Sequence, residues 1–76
     1  MPMVRIELRA TDRAEAQRVV RAYADGGRHR PSDDAALDEV ARLGRTPAGR
    51  PRCVGMTNGQ PTYLKFDVEV YPEVAG

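Results

Sequence analysis

Thr62-Tyr63-Leu64-Lys65-Phe66-Asp67-Val68-Glu69-Val70-Tyr71 alternates without a break. Leu64, Phe66, Val68 and Val70 fall on one side, while Tyr63, Lys65, Asp67, Glu69 and Tyr71 fall on the other. A period of two over that length describes a strand with one face in a core and the other in water. Such a strand needs a layer over its apolar face and hydrogen-bonding neighbours along its edges, so this run decides the fold.

Just upstream, Cys53 to Met56 is short and apolar, and Asn58-Gly59 is a turn signal, so the two runs read as a hairpin. A two-residue Asn-Gly loop pairs Val54 with Tyr63 and turns Val54 and Met56 to the polar face. A five-residue loop, Thr57 to Pro61, sets Met56 opposite Thr62 and Val54 opposite Leu64, and keeps Pro61 out of the ladder. The longer loop is expected.

The chain begins with a second alternating run, Met3 to Arg9, with Val4, Ile6 and Leu8 on one face and Arg5, Glu7 and Arg9 on the other. Thr11 or Asp12 then caps a helix, and Glu15 stands where its side chain reaches back to the cap amide. Ala16, Val19, Val20 and Tyr23 recur at helical spacing, and Gly26-Gly27 stops the helix. After the basic connector Arg28-His29-Arg30-Pro31, Ser32 is expected to cap a second helix, with Asp33 and Asp34 in its first turn. Ala36, Leu37, Val40, Ala41 and Leu43 form its apolar stripe, Asp38 is supported by Arg42, and Gly44 ends it. Residues 45–52 read as a loop because two prolines and a glycine oppose ladder and helix alike.

The expected fold class is therefore α+β. Residues 1–76 form a single domain in two layers, a three-stranded sheet with two helices on one face, in the order strand, helix, helix, strand, strand. A chain of this length buries only about 60–65% of its unfolded surface. With no Trp and Phe66 as the only Phe, aliphatic side chains carry most of the core.

Composition also removes chemistries. One cysteine, Cys53, excludes an internal disulfide and an all-cysteine zinc site. No apolar stretch approaches the length of a membrane span and the first residues show no signal pattern, so a soluble cytoplasmic chain is expected. Ser32 is the only serine and His29 the only histidine, too close in one connector to serve as members of a triad drawn from separate elements. Asp34 and Asp38 lie one turn apart, but read as a solvated helix face rather than a metal site. Gly44 and Gly49 have the spacing of a phosphate loop without its Lys-Ser/Thr and with Pro47 between them. No metal and no cofactor are expected, and Cys53 reads as a small buried hydrophobe.

Three functional readings follow. In the first, the chain is a non-catalytic binding or assembly module, a homodimer or the dock for a protein partner. It uses the uncovered sheet face, with Tyr63, Lys65, Tyr71, Arg5 and Arg9, or the edge of the Thr62–Tyr71 strand. In the second, the partner is nucleic acid. The net charge of +1 hides alternation, since residues 42–66 hold Arg42, Arg45, Arg50, Arg52 and Lys65 and no acid. Arg28, Arg30, Arg45, Arg50 and Arg52 then contact phosphates. Gly49-Arg50-Pro51-Arg52 resembles the core of an AT-hook, which implies arginines laid into an A·T minor groove; Ala48 stands where that family has a further arginine.

The third reading is an enzyme, expected less than the other two. Met1-Pro2 followed by an alternating strand and an amphipathic helix resembles the start of 4-oxalocrotonate tautomerase-type proteins. That resemblance implies removal of Met1, with the freed Pro2 amine as general base and Arg9 or Arg13 contacting a substrate carboxylate. The family passes from its helix to a parallel strand, whereas this chain inserts a connector and a second helix.

Overall fold

A computed structural model of the chain describes residues 1–73. The order is β1 (Met3–Arg9), α1 (Arg13–Ala24), α2 (Arg30–Arg42), β2 (Arg52–Met56) and β3 (Tyr63–Glu69), an α+β fold with both helices on one face of the sheet. The sheet is antiparallel in the order β1-β3-β2. The run that decides the fold is thus its central strand. The edge of Thr62–Tyr71 is not available to a partner, because β1 and β2 occupy both sides of it; this corrects one of the docking routes expected above.

The core follows from the alternation. Leu64, Phe66 and Val68 are buried from β3 with Val70 just past it, Ile6 from β1, Ala16 and Val19 from α1, and Ala36 and Val40 from α2. α1 lies mainly over β2, and α2 mainly over β1. Tyr23 stands edge-on to Phe66, with ring centroids 5.5 Å apart and planes at 74°, a favoured aromatic geometry.

Asp12 caps α1 by accepting the Glu15 amide at 2.8 Å, and Glu15 reaches back one residue further than expected, to the Thr11 amide at 3.1 Å. Gly26 and Gly44 take the left-handed conformation that ends each helix, at φ +83° and +74°. α2 departs from expectation at its start. Its N-cap is His29 rather than Ser32, with Pro31 in the first turn, where an amide would have no helical partner. Ser32 is buried instead, and Asp33 with it. At the other end Leu43 is exposed as the C-cap, Ala41 is also exposed, and Arg42 pairs with Glu39 at 3.3 Å rather than with Asp38.

The hairpin register also differs. Met56 faces Leu64, not Thr62, and Cys53 faces Phe66, with a bulge at Val54 between them. The extra residue lets Cys53 and Met56 share the helix-facing side although they are three positions apart. Val54 is left exposed and Gly55 takes φ +143°. A strict period of two has no means of showing this. Residues 45–52 are not wholly loop either: Pro47 bridges Val70, the Ala48 amide donates to Glu69 O at 2.8 Å, and the Tyr71 amide donates to Thr46 O at 3.0 Å. In that pattern the proline position needs no N–H, so the ladder passes around it.

Candidate functional site

With the helices confined to one side, the odd-numbered residues of β1 and β3 line the other. β1 pairs with β3 so that Arg5 faces Asp67, Glu7 faces Lys65, Arg9 faces Tyr63 and Met3 faces Glu69. Arg52 of β2 faces Asp67 from the opposite side. Unlike charges therefore stand opposite one another across the sheet, the arrangement that stabilises cross-strand pairs. The Arg5 guanidinium grips Asp67 through two nitrogens, Nε to Oδ1 and a second nitrogen to Oδ2 at 3.3 Å. Four of the expected binding residues, Arg5, Arg9, Tyr63 and Lys65, share this face. Tyr71 lies just past the end of β3, half exposed, lining a shallow concavity with Arg45 and Glu73. Met3, also half exposed, joins them. Reading Met3 only as the start of a strand missed it, although its odd position in β1 already placed it on this face.

The hydrogen bond from Arg5, with its charge and that of Arg52, holds the Asp67 carboxyl below its ordinary 3.8 against partial desolvation. A carboxyl depressed in the fold contributes stability above its unfolded pKa and loses it as pH falls through the folded value. Asp67→Asn is therefore expected to flatten the acid limb of the urea-midpoint profile below about pH 4, leaving the profile near neutrality with the same shape. An acid limb unchanged in the variant contradicts the pairing.

A second polar cluster lies under the sheet. The Tyr23 hydroxyl is bonded to the Asp33 carboxylate and lies 3.2 Å from His29 O, and His29 Nδ1 is 2.7 Å from Ser32 Oγ. Burial first, then Asp33, pushes the Tyr23 phenol well above its ordinary value. Ser32 and His29 do meet, although no triad results, because the neighbouring carboxylate is spent on Tyr23 rather than on the imidazole. The cluster ties the end of α1 to the start of α2.

The arginines of the nucleic-acid reading are spread over several elements. Arg28 and Arg30 are exposed at the start of α2, and Arg45 follows its end, with Nε 3.5 Å from Glu73 Oε1. The helix between holds the two groups about 18 Å apart. In the AT-hook-like tetrapeptide Arg50 is exposed, Pro51 is buried and Arg52 is a strand residue beside Asp67. Pro2 is exposed, and its carbonyl accepts the Val70 amide at 2.9 Å. Arg9 and Arg13 line a concavity with Gln60 and Pro61, at the far end of β1, about 23 Å along the strand from Pro2. The three residues are not brought together within one chain.

Cys53 is half-buried, and burial raises its thiol pKa, opposite to the shift that makes a reactive thiolate. Among the described residues no group of three His, Cys, Asp or Glu side chains converges as a metal site, and no helix is long and apolar enough to cross a membrane.

No family model, curated protein or solved structure matches this chain. The functional reading therefore rests on the sheet itself.

Proposed function

We propose that the chain is a small non-catalytic assembly module that docks a protein, a second copy of itself first of all, through the uncovered side or an outer strand of its sheet. The observation that carries this reading is the one-sided layering. Two helices cover one face of a three-stranded sheet, while the other face and both outer strands have no covering element among the described residues. A domain this small gains from association, because its own core is limited. The face combines Tyr63 with Met3 and arginines, side-chain types enriched where proteins meet. Static light scattering between micromolar and millimolar concentration tests it. A mass rising to twice 8.4 kDa is expected. A mass that stays monomeric throughout overturns the reading.

A further inference from the structure

We infer that β1 is the self-association edge, pairing antiparallel with the β1 strand of a second copy about a two-fold axis centred on Ile6. This rests on the assembly reading above and names its partner and register.

The two outer strands differ in fitness for the task. β2 is bulged at Val54, with Gly55 at positive φ and Pro51 before it, features that blunt an edge. β1 runs unbroken from Met3 to Arg9, with regular pairing to β3 throughout. Its inner row is set by two bonds at its ends: the Val70 amide donates to Pro2 O at 2.9 Å, and the Ala10 amide donates to Thr62 O at 2.9 Å. By alternation the backbone groups of Val4, Ile6 and Leu8 face β3, while those of Met3, Arg5, Glu7 and Arg9 point out along the free edge.

The side chains then select a register. Centring the two-fold on Ile6 puts Arg5 opposite the partner's Glu7 and Met3 opposite the partner's Arg9. Both are pairs of outward-pointing residues, so each exchanges two backbone hydrogen bonds. Val4 meets the partner's Leu8 on the helix-facing side. Both are only partly buried within one chain, whereas their neighbours on β3 are fully covered. Sliding the strands by one step of the pleat either way sets Arg5 against the partner's Arg5, or Glu7 against the partner's Glu7 with Arg5 against the partner's Arg9. Like charges directly opposite are destabilising. A slip by a single residue turns every apolar side chain to the wrong face.

The Ile6-centred register also extends the charge order already present. Across the joined sheet one row reads Arg52, Asp67, Arg5, the partner's Glu7, the partner's Lys65, with signs alternating from strand to strand.

A charge-swap mixture tests edge and register together. Arg5→Glu gives two acids at the paired positions, and Glu7→Arg gives two bases. Each variant alone sets like charges against like and is expected to weaken the dimer about ten- to a hundredfold, while an equimolar mixture regains a dimer within about threefold of the original. Each substitution also faces a like charge within its own chain, Asp67 or Lys65, so hydrogen exchange on the unaltered protein gives an independent readout. Amides of Met3, Arg5, Glu7 and Arg9 are expected to gain protection as concentration rises, while those of Val4, Ile6 and Leu8 are protected throughout. A dimer indifferent to both substitutions, a mixture that stays monomeric, or outward amides that exchange freely in the dimer overturns the β1 interface and leaves the assembly reading standing. A chain that never dimerises overturns both.

Discussion

Phe66→Ala is expected to remove about 3–5 kcal/mol of stability, the usual cost of deleting a buried aromatic side chain. Phe66 is fully buried at the middle of the central strand, between Ile6 on β1 and Cys53 on β2, with Tyr23 of α1 edge-on against its ring. No other aromatic ring lies fully within the core, so nothing nearby refills the space. A 76-residue domain has in total about 4–11 kcal/mol. The variant is therefore expected to lose a cooperative urea transition, or to keep one with its midpoint near zero denaturant. Phe66→Leu keeps most of the volume and is expected to retain a clear transition. Circular dichroism across a urea series checks both. A cost for Phe66→Ala below about 1.5 kcal/mol contradicts the central place of this ring.

Tyr23→Phe is the second large effect, expected at about 1.5–3 kcal/mol, because it strands a buried carboxylate. Asp33 is buried in the first turn of α2, and the Tyr23 hydroxyl is bonded to its Oδ1. Removing the hydroxyl leaves the buried carboxylate without its phenol donor. Asp33→Ala strands the hydroxyl in turn, with His29 O at 3.2 Å as its remaining acceptor. Replacing both partners is then expected to cost less than the two single changes added together, with a coupling above about 1 kcal/mol in a double-mutant cycle. Additive single costs contradict the pair. An alkaline signature accompanies it. A phenol raised above its ordinary 10.0 in the fold contributes stability that is intact below pH 10 and lost as pH rises beyond it. Tyr23→Phe is expected to remove that slope.

Both effects depend on residues whose burial was read with unequal success. Phe66 was legible because a strand buried on one face repeats its pattern every second residue, whatever the chain does elsewhere. The sequence places Asp33 in the first turn of a helix, where its charge suits the positive dipole end, and says nothing of its burial. Its local signal is the same whether the turn faces water or a neighbouring helix, and the difference is made by Tyr23, ten positions away in another element. Ser32 was misplaced for a related reason. A serine before a helical pattern is a cap by local preference, but Pro31 also suits a first turn, and the chain uses it to start α2 three residues earlier.

The uncovered face of the sheet shows the same division. Arg5, Arg9, Tyr63 and Lys65 were assigned to one face from two separate alternating runs, and the sheet does bring them together. Their neighbours across the strands were not legible. Arg52, grouped with a basic loop, stands beside Asp67 on β2. The free edge was assigned to the wrong strand, since the longest and most regular run lies at the centre.

The sequence by itself determined the kind and order of the elements, which side of β1 and β3 enters the core, and the helix stops at Gly26 and Gly44. Each of these is a local property of periodicity or backbone freedom. The tertiary structure alone decided that β3 lies between β1 and β2, that β2 bulges at Val54 to keep Cys53 and Met56 inward, and that Asp33 is buried against Tyr23. Each of those depends on what a residue meets across the chain, and period-two or helical spacing carries no record of the neighbour.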